Sequence, residues 1–159
     1  QLFVVLVPMG TFTTMIPYDV EYRQVYYVIH KSLGLTVFLL AGARVAWQMT
    51  SPAPKVSPRL KDWERVMARG AHIALYVFLF AFPISGFVLS TSLGKLSHFY
   101  FWDLPMFWGP DEASLAVARL IHKIILPFTF YLVFLAHILG AMKHQYVDKQ
   151  DDSFRRMVT

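Results

Sequence analysis

The 159 residues of this chain include no cysteine. That absence excludes disulfide scaffolds, thiolate nucleophiles, cysteine-ligated iron–sulfur clusters and covalently attached c-type haem. Charge is scarce as well. Only 16% of the residues are charged, against 56% hydrophobic and 16% aromatic. Soluble domains carry about 25% charged residues, so this balance excludes an ordinary soluble enzyme and fits an integral membrane protein. There is no internal repeat and no low-complexity segment. Lys and Arg outnumber Asp and Glu by 15 to 10, for a net charge of +5. The basic residues gather at the ends of apolar runs, where membrane topology explains them, so no nucleic-acid partner is expected. With thiols gone, the six histidines are the leading candidates for holding a metal.

The length suits one domain, 1–159. Its apolar runs give an all-α, transmembrane four-helix up-down bundle with spans at about 1–15, 25–49, 66–92 and 115–144. The first run opens inside LFVVLV with no basic flank, which is not the pattern of a signal peptide. It reads as the second half of a helix truncated at its start, with Pro8, Gly10, Thr11, Thr13 and Thr14 marking its end. A Pro-rich linker, SPAPKVSPRLKDWER, follows the second span and carries Lys55, Arg59, Lys61 and Arg65, with Arg69 just beyond. Gly70 to Gly94 is uncharged and long enough to cross a bilayer, with a kink expected at Pro83. The loop from Lys95 to Ser114 contains FYFWDLPMFW, an aromatic density that suits the membrane–water interface. The linker and the tail (Lys149, Arg155, Arg156) are the basic segments, so the positive-inside rule places both, and both termini, in the cytoplasm.

Histidines inside membrane helices are costly and point to function. His30 and His122 lie near the outer ends of the second and fourth spans; His72 and His137 lie near the inner ends of the third and fourth. Two layers of inward imidazoles in a four-helix bundle are what two stacked b-type haems require. His122 and His137 are 15 residues apart, roughly 22 Å along an ideal helix and about 60° apart around its axis. A kink at Pro127 or a π-bulge between them would absorb one residue. Arg44 falls at the depth of His137, where a haem propionate would serve as its anion. Gly34, one turn after His30, removes a side chain where a flat macrocycle would press on the helix, and Gly42 offers the same relief. The plainer readings are cross-helix hydrogen bonds for the histidines, a snorkelling Arg44 and small-residue packing for the glycines. His98 and His144 read as interfacial.

The stretches IHKSLGLTVFLLAGARVAW and ARGAHIALYVFLFAFPISGFVL, with IHK and LAH on the fourth helix, resemble the bacterial cytochrome b561 family over essentially the whole chain. Within it the likeness is to members that act as superoxide oxidases. The resemblance implies two haem b groups and makes His30, His122 and His137 the iron ligands. His30 and His122 would hold one haem. His137 would share the other with a first-helix histidine upstream of this chain, so that one haem lacks a ligand here. Depth alone offers His72 as the alternative. The spacing from His122 to His137 is one residue longer than is usual in the family.

The resemblance further implies a multi-pass protein of the bacterial inner membrane. As an oxidoreductase it would pass single electrons from a periplasmic donor, superoxide, to ubiquinone. Bis-histidine ligation leaves no open iron position, so electron transfer is the expected chemistry. Lys31, Lys123 and Lys95, with Arg23 and Arg119 nearby, would draw the anion to the outer haem; the alternative is that these lysines snorkel. A second reading is a membrane-anchor cytochrome b subunit that carries electrons from a hydrogenase or dehydrogenase partner to quinone within a respiratory complex.

Overall fold

The computed structural model describes residues 2–51 and 61–148, with side chains from Val4 onward. Lys55 and Arg59 of the linker, and Lys149, Arg155 and Arg156 of the tail, lie outside the described residues. Among these residues three helices are long and apolar enough to cross a membrane: Arg23–Thr50, Asp62–Ser92 and the continuous run Glu112–Val147. Each begins two to four residues before the start expected from hydropathy. Many of their apolar side chains point outward, among them Leu39, Leu40, Ile73, Val77, Leu132 and Leu135. Contiguous exposed apolar surface on this scale suits a lipid environment.

The first helix, α1 (Leu2–Met15), is a shorter apolar helix. It carries Pro8 and Gly10 within it and ends at Met15. The threonines are absorbed into it. Thr13 Oγ1 donates to Met9 O at 2.7 Å and Thr14 Oγ1 to Thr11 O at 2.7 Å, bonds that satisfy hydroxyls inside a helix. The corner into α2 (Arg23–Thr50) is fastened by Arg23, which is only 8% exposed. Its Nε donates to Ile16 O at 3.0 Å and a terminal nitrogen donates to Tyr27 Oη at 3.0 Å. The guanidinium also lies 4.0 Å from the ring centroid of Tyr18 and 5.0 Å from that of Tyr27. A cation there meets the negative, carbonyl-exposing end of α1.

Helix α3 (Asp62–Ser92) contains Pro83 and ends in a Schellman motif. Lys95 N–H bonds Ser90 O at 3.0 Å, Gly94 N–H bonds Thr91 O at 2.8 Å, and Gly94 takes the required left-handed φ of +66°. The aromatic loop is more ordered than an interfacial loop need be. β1 (Ser97–Phe99) pairs antiparallel with β2 (Trp102–Leu104), with His98 opposite Asp103. The fully buried Ser32 of α2 pins this hairpin. Its Oγ accepts from Tyr100 N–H at 2.7 Å and donates to His98 O at 3.4 Å. Tyr100 holds φ 54°, which explains why no turn signal was visible in the sequence.

Helix α4 (Glu112–Leu120) starts at Asp111, whose carboxylate accepts from Ser114 N–H at 2.7 Å. That bond holds the Asp111 carboxyl below the usual carboxylate range. The chain continues through a π turn at Ile121–Ile125, α5 (Leu126–Met142) and a second π turn at Lys143–Val147. In the first π turn Leu126 N–H bonds Ile121 O, which takes up one residue, the excess noted between His122 and His137. The residues fall into two compact units. The first comprises 1–53 and 78–127, the second 54–77 and 128–159.

Candidate cofactor and metal centre

In the first unit His30, on α2, faces His122, in the π turn. Their ring centroids are 6.4 Å apart with planes at 76°. Two metal–nitrogen bonds of about 2 Å plus the two ring radii come to roughly 6 Å, a spacing compatible with the pair sharing one metal ion. Both rings are set by backbone clearance. A Cβ on Gly10 of α1 would stand 2.8 Å from His30 Cε1, and one on Gly86 of α3 would stand 2.8 Å from His122 Cε1. Gly10 is therefore a seat for His30, not a helix breaker. His122 Nδ1 lies 2.9 Å from Ser85 Oγ, which donates to Phe82 O at 3.1 Å. His30 Nδ1 is buried with no hydrogen-bond partner.

Beside this pair lies a cavity of about 570 Å³, with His30, Gly34 and His122 in its walls. A Cβ on Gly34 would meet nothing within 4 Å; the helix is open there. Among the described residues five cationic side chains line the space, Arg23, Lys31, Lys95, Arg119 and Lys123, and no Asp or Glu does. Lys31 is tethered, its Nζ donating to Ser90 Oγ at 2.7 Å and to Leu96 O at 2.9 Å. Lys95, Arg119 and Lys123 are exposed. Arg44 stands exposed on α2 and is not among the residues lining the cavity.

The second unit holds His72 and His137, with ring centroids 5.1 Å apart and planes at 68°. Like the His30–His122 pair it is an edge contact, at closer range. His72 is exposed and His137 half-buried. This unit also contains a cluster that the sequence did not single out. The buried Glu64 binds Lys143 Nζ at 2.6 Å; the same ammonium meets Asp148 at 2.9 Å, and His144 Nδ1 meets Asp148 at 2.8 Å. Lys143 and then His144 hold the Asp148 carboxyl below its usual range. Glu64, His144 and Asp148 offer ligand atoms within 4.8 Å of one another, but the Lys143 ammonium already supplies the cation they need.

The residues of the first unit fit a haem. Two imidazoles face each other at a suitable spacing, two glycines seat them, a third opens on a haem-sized cavity, and a cationic lining offers partners for carboxylates. The structure thus belongs to the class of helical membrane haem proteins. The match to the family of prokaryotic cytochrome b561 covers residues 1–159, and the chain belongs to that family. It is 35% identical over 131 residues to cytochrome b561 homolog 2 of Escherichia coli (strain K12), covering 82% of this chain and 69% of that protein. Cytochrome b561 homolog 1 of the same strain is 27% identical over 128 residues, covering 80% of this chain and 72% of that protein. A probable superoxide oxidase, CybB of Yersinia pestis, is 25% identical over 132 residues, covering 82% of this chain and 73% of that protein. The chain is accordingly a multi-pass, helical-bundle membrane protein of electron transfer that uses b-type haem.

Sequence reasoning missed Ser85, Gly10, Gly86 and Ser90. The only signal was a run of small and polar residues in otherwise apolar helices, which ordinary helix packing produces equally well.

Proposed function

We propose that this protein, acting as a single di-haem domain in the bacterial inner membrane with cytoplasmic termini, oxidises periplasmic superoxide and reduces ubiquinone. His30 and His122 would hold one haem b, and His137 would serve the second, with His72 beside it as the candidate partner among the described residues. When bound between His30 and His122, a haem would supply reversible one-electron chemistry. The observation that carries the reading is the cavity beside His30 and His122, lined among the described residues by five cations and no carboxylate. Such a mouth raises the local concentration of a small anion and its rate of encounter. Lys95, Lys123 and Arg119 draw superoxide in. Lys31 adds positive charge while bound to Ser90 and Leu96, and Gly34 keeps the wall open. Each superoxide gives up one electron and leaves as dioxygen. One ubiquinone takes two electrons and two protons to become the quinol.

The test is the rate of haem reduction by superoxide as ionic strength varies. Lys95→Gln and Lys123→Gln should each slow the reaction and flatten its salt dependence. Unchanged kinetics in the double variant would overturn the steering role. The anchor-subunit reading is favoured by one feature, the exposed aromatic hairpin and loop, where Phe101 is 97% and Phe107 74% exposed. Co-purification of a hydrogenase or dehydrogenase with the full chain, together with indifference to superoxide, would establish that reading instead.

A further inference from the structure

We propose that Ser85 is a positioning residue that fixes the protonation of His122 and lowers the potential of the haem at the His30–His122 site. The inference rests on the reading of these two histidines as haem ligands, and on the bonds around Ser85.

A serine hydroxyl has one proton. Ser85 Oγ gives it to Phe82 O, at 3.1 Å on its own helix. Toward His122 the same oxygen has only lone pairs left, so across the 2.9 Å contact it accepts and Nδ1 donates. That assignment leaves Nε2 of His122 unprotonated and free to ligate. The ring has no easy alternative pose. Gly86 backs it at the Cε1 edge, the Phe82 ring stands 5.9 Å from it at 76°, and Ser85 is buried at 9% exposure.

His30 is built differently. Its Nδ1 is buried with no partner, so nothing withdraws its proton or fixes its tautomer. The two ligands are therefore unequal donors. A ligating imidazole that donates its second N–H to an acceptor is more basic, and outer partners of this kind tune metal affinity and potential. The stronger donor favours the oxidised, more positive iron, so the Ser85 bond pulls the potential of this haem down. α3 supplies no ligand to this pair, yet it sets His122 through Ser85.

The experiment is a spectroelectrochemical titration of the purified full-length holoprotein, wild type against Ser85→Ala and Ser85→Thr, after haem per chain has been counted. Ser85→Ala should raise the midpoint of one haem. The reduced-to-oxidised ratio at fixed potential should rise by up to about tenfold, which for one electron is about 59 mV. Ser85→Thr, which keeps the hydroxyl, should titrate with the wild type. A Ser85→Ala protein with full haem and a wild-type midpoint overturns the proposal, as does a threonine variant that shifts as far as alanine. A second measurement needs no variant. Nitrogen NMR of histidine-labelled, reduced wild-type protein should show the His122 proton on Nδ1, and a proton on Nε2 overturns the assignment. Absence of haem from the wild type would instead sink the haem reading itself, so the two failures are told apart.

Discussion

The seating of His122 on Gly86 makes a prediction with a magnitude. A Cβ at position 86 would lie 2.8 Å from His122 Cε1, whereas non-bonded carbons settle at about 3.5–4.0 Å. The ring must therefore retreat by roughly 0.7 Å or more. It is held at 2.9 Å by Ser85, and a retreat of that size stretches the bond past the limit of a hydrogen bond. In free energy of folding the change is ambiguous. Alanine in a helix gains about 1 kcal/mol over glycine, and overpacking costs about 1–3 kcal/mol, so Gly86→Ala should leave the fold between neutral and about 2 kcal/mol weaker. The diagnostic quantity is haem. Loss of outer-partner support and of ligand aim typically costs about 10–100-fold in metal-site affinity, so Gly86→Ala should lose a large share of one haem per chain. Gly10→Ala, with its Cβ 2.8 Å from His30 Cε1, should behave alike. The control is Gly70→Ala, at an exposed helix position where the new Cβ meets nothing within 4 Å; it should keep all haem. Pyridine haemochrome assay and low-temperature spectra read the outcome. Full haem with an unaltered spectrum in Gly86→Ala would refute the claim that this glycine exists to seat the ligand.

Arg23→Met removes two hydrogen bonds from a buried guanidinium to Ile16 O and Tyr27 Oη. Bonds to charged groups contribute about 1.5–3 kcal/mol, so thermal denaturation in detergent should show a clear loss; an unchanged melting point would refute the role. Ser32→Ala strands the Tyr100 N–H that Ser32 Oγ now accepts, at a cost of about 1–3 kcal/mol. Amide exchange at Tyr100 should quicken by at least tenfold while the core of α2 keeps its protection. The carboxyl of Asp111 is held low by its bond to Ser114, so its cap contributes fully above the ordinary carboxylate range and is lost as pH falls through the lowered value. Exchange at Ser114 should accelerate in acid in the wild type, and Asp111→Asn, which caps without titrating, should abolish that acid dependence.

What the sequence disclosed follows from what is local. Long uncharged runs specify α2, α3 and the last helix because twenty-odd apolar residues have few other stable arrangements. The surplus residue between His122 and His137 was visible as a mismatch of period, and the π turn at Ile121–Ile125 is where it is taken up. What was hidden depends on partners far away in sequence. Gly10 reads as one of several residues marking the end of the first helix, but that it also seats His30 of α2 is invisible to any local reading. Lys31 reads as one of a rim of lysines, but its ammonium is spent on Ser90 and Leu96, 59 and 65 residues on. Tyr100 in the left-handed region is a turn fastened to α2 by Ser32 and Thr36.

The two units treat charge in opposite ways, and that contrast bears on function. In the second, the cations and carboxylates near the helix ends cancel: Lys143 lies between Glu64 and Asp148, and His144 leans on the same Asp148. Such a cluster presents little field to a passing ion. In the first, five cations line one cavity without an acid among its walls, and among the described residues no ion pair engages Lys95, Arg119 or Lys123. Uncompensated like charge around a cavity costs folding energy through self-repulsion. It is retained more readily if something anionic is regularly there to relieve it. Haem propionates would meet part of that need and superoxide the rest, which is why the salt dependence of Lys95 and Lys123 variants separates a resident anion from a visiting one. A resident anion screens the lining at every ionic strength; a visiting one feels the full field only when salt is low.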